Sequence, residues 1–294
     1  MEANGNDKQL PADVVRLAYG ENEFQFGDLR LPEGTGPHPV VIVVHGGFWK
    51  STFSLDLMEP ISEDLTSRGL ATWNIEYRRV GNAGGGYPGT FQDVAVAVDF
   101  LREIAPTFQL DLTKTVVLGH SAGGHLAVWL TARHRVQADS ILRTSSEPLA
   151  IKGVVSLAGI IDMELMWKLI HYKQRIITDV EIDNPVADFV GGTPAQVPDR
   201  YKEASPVGLL PFHSPQILIH GDLDINVPVK LSSLYKEIVE RAGGQVKMIS
   251  LPNVEHFEII DPCSEVWPVC SSNGKGRSRS DGLVERSTRR ERLS

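Results

Sequence analysis

Six short, continuous apolar runs recur along the chain and constrain its fold more strongly than any other feature. They are rich in β-branched residues, which is typical of strands buried on both faces of a sheet. Segments with apolar spacing near 3.6 residues lie between several of these runs and predict helices. This alternation predicts an α/β fold with a mostly parallel twisted sheet and helices on both faces. The runs cover residues 38–47, 70–78, 114–121, 152–159, 215–222 and 246–252, and the helical patterns cover residues 90–105, 123–134 and 230–242.

The segments around this core differ in composition, and they divide the chain. Residues 1–13 are predicted to form a flexible leader, followed by one α/β domain over residues 14–270 whose first two strands form an antiparallel pair. Residues 160–212 interrupt the strand–helix rhythm with one helical pattern and a Pro/Gly-rich stretch, and we expect this insert to form a lid or a binding wall. Residues 271–294 are rich in Ser and Arg, which predicts a disordered basic tail.

Charge and cysteine content exclude several classes of protein. The 294 residues carry 29 Lys and Arg against 37 Asp and Glu, and this net charge of −8 argues against binding to nucleic acid or to an anionic membrane. The two cysteines, Cys263 and Cys270, are expected to be free thiols in a reducing compartment. Neither a signal-peptide pattern nor a long apolar segment is present, so we predict a cytoplasmic protein. The oligomeric state stays open.

A G-x-S-x-G motif runs from Gly119 to Gly123 and places Ser121 between a predicted strand and a predicted helix. In that context the serine lies on a sharp turn and its hydroxyl is exposed at the carboxyl edge of the sheet. The positive end of the helix dipole favours a developing anion there. The motif therefore indicates a nucleophile, with a helix-capping serine as the alternative.

A serine nucleophile needs a base and an acid that orients the base. His256 follows the last predicted strand, from which a loop can reach over the sheet edge, whereas His120 and His125 are too close to Ser121 in sequence to turn back onto it. The acid is expected just past the strand at residues 215–222, where Asp224 is favoured over Asp222. Asp222 is interpreted as a turn-forming residue.

The backbone donors for an oxyanion are predicted from two turns. The residue after the nucleophile, Ala122, supplies one N–H group. The others are expected at Gly47 and Phe48, in the His-Gly-Gly loop that follows the strand at residues 38–47. A simple strand terminator is the alternative interpretation of that loop. No metal-ligand spacing such as H-E-x-x-H occurs, and we expect no metal and no organic cofactor.

Four segments together resemble the α/β-hydrolase superfamily, and they are most similar to its esterase, lipase and kynurenine formamidase-like branch. They read HGGFW, GHSAGGHLA, HGDLDINVP and EHF, and the resemblance covers roughly residues 14 to 270. It implies that Ser121, Asp224 and His256 form the catalytic triad and that the H-G-G loop lines the oxyanion hole. The Phe48-Trp49 pair is similar to the formamidase-like pattern rather than to that of esterases with a third glycine. Family members usually carry a full helix after the histidine, and the change of composition after Val269 suggests that this helix is truncated or replaced here.

These residues predict a serine hydrolase that cleaves small carboxylic esters through an acyl-enzyme intermediate. Trp49 and Trp167 are predicted to line the substrate pocket. An amide hydrolase is the first alternative, either an arylformamidase or a small-peptide hydrolase of the prolyl-oligopeptidase type. A non-catalytic binding protein with a hydrolase fold is the second, although binding alone requires no Ser/Asp/His set. In the catalytic interpretations the partner is a small-molecule ester or amide.

Overall fold

The computed structural model describes residues 11, 13–177 and 184–272. Apart from residues 11, 13, 271 and 272, the predicted leader and the predicted tail lie outside the described residues. The six apolar runs all become strands, and the antiparallel pair predicted at the start of the domain is also present. The strands are β1 Val14–Ala18, β2 Phe26–Arg30, β3 His38–Val44, β4 Ala71–Ile75, β5 Leu110–His120, β6 Val154–Leu157, β7 Gln216–Gly221 and β8 Val246–Leu251.

Within the described residues these eight strands form one sheet in the order β1-β2-β4-β3-β5-β6-β7-β8. β1 pairs with β2, and β2 pairs with β4, in antiparallel register. All the pairs from β4 to β8 are parallel, so the carboxyl ends of these strands meet at one edge of the sheet. The mostly parallel sheet is therefore confirmed.

Helices cover both faces of the sheet. They are α1 Glu59–Ser67, α2 Gly89–Asp99, α3 Leu101–Phe108, α4 Ala122–Ala132, α5 Met163–Ile177, α6 Pro185–Val190, α7 Pro198–Ala204, α8 Lys230–Arg241 and α9 Trp267–Ser272. The central strand β3 shows how the two faces are filled, because alternate residues point to opposite sides. Val40, Ile42 and Val44 belong to the core beneath α2, α4 and α8, whereas Val41 and Val43 belong to the core beneath α1 and α9.

The helix predicted over residues 90–105 is wrong in one respect, because the structure has two helices there. α2 and α3 meet at Phe100, where the Glu103 amide donates to the Phe100 carbonyl three residues back, at 2.9 Å. This tighter turn interrupts the regular α-helical ladder. The helix predicted within the insert is α5, and α6 and α7 follow it before β7. None of the helices in the described ranges is long and apolar enough to cross a bilayer.

Candidate active site

Ser121 lies at the turn between β5 and α4, in a backbone conformation that residues other than glycine rarely adopt. Its φ is 55° and its ψ is −117°. The backbone is held there because the Ser121 amide donates to the Leu157 carbonyl at 2.8 Å, and the Ser121 carbonyl accepts from His125 at 3.0 Å. Such strain costs on the order of 1–3 kcal/mol and persists only where surrounding contacts enforce it. The residue is 2% exposed, so the expectation of an exposed hydroxyl is wrong for this conformation.

The two glycines of the motif are required by close backbone contacts. A Cβ atom on Gly119 would lie 2.1 Å from the Gly123 carbonyl oxygen, and one on Gly123 would lie 2.1 Å from the carbonyl oxygen of Val44. Strand β5, helix α4 and the end of β3 therefore approach one another more closely than any side chain permits. This packing places the first turn of α4, with its unsatisfied N–H groups, directly after Ser121.

His256 and Asp224 form a buried pair at the carboxyl edge of the sheet. His256 Nδ1 lies 2.5 Å from Asp224 Oδ2, and the Asp224 side chain has no exposed surface. The other carboxylate oxygen, Oδ1, accepts from the amides of Asn226 and Val227 at 2.9 and 2.8 Å. Because Nδ1 faces Asp224, Nε2 is the ring nitrogen of His256 that this pair leaves unused.

Asp224 stays ionised despite its burial. Burial by itself raises the pKa of a carboxyl group, but hydrogen bonds from His220 and His256, the electrostatic interaction with His256 and the Val227 amide together hold the pKa of Asp224 well below its ordinary range. His220 Nε2 lies 3.2 Å from Asp224 Oδ2 and 2.8 Å from the Val227 carbonyl, while its Nδ1 lies 2.8 Å from the Ser232 hydroxyl. A neutral His220 protonated on Nε2 satisfies all three contacts.

Asp222, the other aspartate considered, has a different role in the structure. Its Oδ1 accepts from the Asn253 amide at 2.6 Å, across to the turn that follows β8, and the side chain is exposed. Of the two aspartates, Asp224 is therefore the one in contact with His256.

The His-Gly-Gly loop packs against the turn at Ser121. A Cβ atom on Gly46 would lie 2.7 Å from the His120 carbonyl oxygen and 3.1 Å from the Ser121 Cβ. Gly47, Phe48 and Trp49 all have positive φ, at 103°, 50° and 56°. Three consecutive left-handed residues turn the backbone sharply at the position where oxyanion donors were predicted.

A buried ionic network lies beneath this loop, and the sequence interpretation missed it. Glu76, directly after β4, accepts from the amides of Leu55 and Tyr77 at 3.1 and 2.9 Å. Its Oε1 also lies 3.0 Å from His45 Nε2 and 3.2 Å from Arg79 Nη1. Burial raises the pKa of Glu76, but the interactions with His45, the charge of Arg79 and the hydrogen bond from the Tyr77 amide bring that pKa below its ordinary value. A charged residue at the end of an otherwise apolar run was the available signal.

Trp49 lies in the core rather than on an open wall. Its indole is fully buried and stacks on Phe189 of α6, with ring centroids 4.3 Å apart. Its Nε1 donates to Nδ1 of His125 at 3.2 Å, and His125 Nε2 donates to the Ala204 carbonyl at the end of α7 at 2.8 Å. Trp49 thus joins the His-Gly-Gly loop to the insert. In this conformation it presents no surface to a substrate.

Trp167 lies on α5 and is partly buried. Its ring stacks on His171, one helical turn away, with centroids 4.9 Å apart, and its carbonyl accepts from the Asn184 side chain at 3.2 Å. Among the residues that the structure describes, no hydrogen bond or ring contact joins Trp167 to Ser121, Asp224 or His256. Its place in a substrate pocket stays a prediction.

The residues that the structure describes include no cluster of three or more His, Cys, Asp or Glu side chains arranged to hold a metal ion.

Comparison with known proteins assigns the chain to a family. The model of the BD-FAE family matches residues 28–239, a segment that includes Ser121 and Asp224. The chain belongs to the BD-FAE family. The match ends before His256, which lies in the loop after β8.

Several curated proteins are similar to this BD-FAE chain over most of its length. Esterase LipC of Mycobacterium tuberculosis is 27% identical over 258 residues, which cover 84% of this chain and 60% of LipC. Probable isoprenylcysteine alpha-carbonyl methylesterase ICMEL1 of Arabidopsis thaliana is 25% identical and covers 83% of this chain and 51% of its own length. Kynurenine formamidase of Danio rerio is 23% identical, and the matched region covers 86% of this chain and 78% of the formamidase. The chain spans 51–60% of the length of these two esterases.

Solved structures confirm the fold. A bifunctional GH43-CE protein of Bacteroides eggerthii superposes with a TM-score of 0.74 at 23% identity, over 90% of this chain and 38% of the other. The propionate-bound esterase Est2 of Thermogutta terrifontis superposes with a TM-score of 0.70 at 18% identity, over 90% of this chain and 92% of the Est2 chain. Together with the sheet order, these likenesses confirm the α/β-hydrolase fold that the sequence motifs implied.

Proposed function

We propose that this BD-FAE protein is a serine hydrolase that cleaves small carboxylic esters, with Ser121 as nucleophile, His256 as base and Asp224 as the acid that orients His256. The observation that carries the proposal is the buried contact of 2.5 Å between His256 Nδ1 and Asp224 Oδ2, on the loops that follow β8 and β7. A buried ionised carboxylate against one ring nitrogen fixes the tautomer that leaves Nε2 free to accept a proton.

Acylation follows from this arrangement. His256 Nε2 takes the proton of Ser121 as Oγ bonds to the ester carbonyl carbon, and the carbonyl π electrons move to the oxygen. The backbone N–H groups of Gly47, Phe48 and Ala122 stabilise this oxyanion, and Asp224 stabilises the imidazolium. When the tetrahedral intermediate collapses, the bond to the alkoxy oxygen breaks and His256 returns the proton to the leaving alcohol.

Deacylation repeats the sequence with water. His256 Nε2 removes a proton from water as the water oxygen attacks the acyl carbon. When the second intermediate collapses, the bond to Ser121 Oγ breaks, His256 returns the proton to Oγ, and the acid is released. The names of the relatives support ester substrates, since LipC is an esterase and ICMEL1 a probable methylesterase.

A panel of p-nitrophenyl esters of increasing acyl length tests the proposal. Wild type, Ser121→Ala and Ser67→Ala are compared, the last being an exposed serine on α1 that serves as a matched control. We expect short esters to be hydrolysed by wild type and by the control, and the Ser121 variant to lose activity by about 10⁶. If the folded wild type hydrolyses neither an ester nor a formyl amide, the result would instead favour the non-catalytic binding protein.

An arylformamidase is the second candidate, and two observations favour it. The chain covers 78% of the Danio rerio kynurenine formamidase, a larger share than the 60% of LipC that it covers. The Phe48-Trp49 pair after the two glycines also follows the formamidase-like pattern. The same Ser121 chemistry would cleave a formyl amide, with an amine as the leaving group. Rapid hydrolysis of N-formylkynurenine without turnover of short esters would replace the esterase proposal with this one.

A further inference from the structure

We propose that His120 is a positioning residue that holds the loop carrying His256 in register with the nucleophile turn. This inference rests on the proposed function, because it assigns His256 as the base. His120 directly precedes Ser121 in the sequence and cannot turn back onto it as the base, so its proposed role is structural support of the base.

The contacts of His120 join β5 to the base loop. His120 is the last residue of β5 and is fully buried. Its Nε2 lies 2.9 Å from the backbone carbonyl oxygen of His256, and since a carbonyl only accepts, Nε2 carries the proton and donates. The two imidazole rings also pack together with centroids 4.5 Å apart, and the Phe257 ring lies 5.7 Å from that of His120.

The same residue borders the oxyanion loop. A Cβ atom on Gly46 would lie 2.7 Å from the His120 carbonyl oxygen and 3.2 Å from its Nδ1. One residue therefore contacts the loop that bears the proposed base and the loop that bears the proposed oxyanion donors, and it directly precedes Ser121. A shift of His120 would displace these loops relative to each other.

The environment of His120 keeps its imidazole neutral. Nδ1 is buried and finds no hydrogen-bond partner among the described residues, so a proton there would have no acceptor. The titratable groups that act electrostatically on the ring are His256, which contacts it, and Asp224 and His220. Burial, and the positive charge of His256, lower the pKa of His120 to about 3. Neutrality matters because His256 becomes an imidazolium during acylation, and a second cation at ring-contact distance would oppose that step.

Two substitutions separate the hydrogen bond from the packing. Gln places its Nε2 donor the same number of bonds from Cα as the histidine Nε2, whereas Phe keeps an aromatic ring and removes the donor. We expect His120→Phe to lower kcat by about ten- to a hundredfold with little change in KM, as misplacement of a base by about 1 Å does. We expect His120→Gln to recover most of the lost turnover.

A measurement independent of turnover accompanies the kinetics. The proton between His256 Nδ1 and Asp224 is observed by NMR in wild type, His120→Phe and His120→Gln. We expect this resonance to broaden or disappear in the Phe variant and to persist in the Gln variant. If the Phe variant does not fold, His120→Asn replaces it, because its amide is one bond too short to reach the His256 carbonyl.

The outcomes distinguish this proposal from the proposed function. Equal kcat in wild type and His120→Phe, or an unchanged resonance in the Phe variant, overturns the role of His120. An equal loss in the Phe and Gln variants also overturns it, since the donor would then not matter. Full activity in Ser121→Ala overturns the proposed function instead, and the NMR comparison still decides whether His120 holds the His256 loop.

Discussion

Replacing Asp224 by Asn tests the acid–base pair with the smallest change of shape. Oδ1 of Asp224 accepts from two backbone amides, and Oδ2 faces His256 Nδ1 and His220 Nε2. The Asn carbonyl oxygen can keep the two amide contacts, and its NH₂ group then faces His256, which can change its tautomer, and His220, which keeps its contact with the Val227 carbonyl. The opposite orientation would turn NH₂ toward two backbone N–H donors, which have no alternative tautomer, at a cost of about 1–3 kcal/mol for each unsatisfied group. The first orientation is therefore favoured.

The magnitude follows from the tautomer of His256. An NH₂ group at the former Oδ2 position can only donate, so Nδ1 of His256 must become an acceptor and the proton moves to Nε2. The ring then presents N–H to Ser121 and cannot take its proton. A triad in the wrong tautomer loses about 10⁴ in kcat, which corresponds to about 5.4 kcal/mol of transition-state stabilisation.

The assay is steady-state hydrolysis of the best p-nitrophenyl ester by wild type, Asp224→Asn and Asp222→Asn. Asp222 is the matched control, because it lies in the same loop and an Asn oxygen can still accept from the Asn253 amide. We expect kcat to fall by about 10⁴ for Asp224→Asn and to stay near wild type for Asp222→Asn. Equal losses in the two variants, or a loss below about tenfold for Asp224→Asn, would refute the reasoning.

Three further perturbations follow from the buried groups around the site. Trp49→Phe keeps a ring against Phe189 but leaves His125 Nδ1 without its donor, so chemical denaturation should show a loss of about 1–3 kcal/mol in the free energy of unfolding, with little change in KM. Glu76→Gln leaves the Arg79 charge buried and uncompensated and should cost about 3–5 kcal/mol in the same measurement, together with a lower kcat because the network supports the His-Gly-Gly loop. Burial lowers the pKa of His125 from 6.5 to about 4, so the unfolded chain takes up a proton first as the pH falls, and the folded state loses stability over that interval. His125→Gln should reduce the pH slope of the free energy of unfolding there by about 1.4 kcal/mol per pH unit.

A specific result would contradict each of these predictions. If Trp49→Phe changes KM without a loss of stability, Trp49 lines the substrate pocket after all. The control for Glu76→Gln is Glu63→Gln, because Glu63 is an exposed residue of α1. Equal stability of the two variants would mean that the buried ionic network does not stabilise the fold. An unchanged pH slope in His125→Gln would mean that His125 gains a proton as readily in the folded chain as in the unfolded one.

The sheet could be predicted from sequence because burial on both faces selects a distinctive composition. Val40 to Val44 read as one apolar run since alternate residues enter two different cores. The turn at Ser121 could also be predicted, because a Cβ atom at Gly119 or Gly123 would lie only 2.1 Å from a backbone oxygen, which requires glycine at both positions. Local constraints of this kind leave a local sequence pattern.

Contacts between residues far apart in sequence left no such pattern. Trp49 was predicted to line the pocket, but it is buried against Phe189 and His125, and only the fold brings these three residues together. His120 was set aside as too close to Ser121, and its contact with the His256 carbonyl depends on where the β8 loop returns. Side-chain networks are assembled by tertiary packing, so residue type and spacing do not specify them.

The most direct test of the central claim is to trap the acyl-enzyme. Wild type and Ser121→Ala are mixed with a short p-nitrophenyl ester, quenched in acid and digested, and the peptides are examined by mass spectrometry. We predict an acyl group on Ser121, formed at the rate of the initial burst of p-nitrophenol and absent from the variant. Turnover without an adduct on Ser121, or an equal burst from Ser121→Ala, would contradict the account.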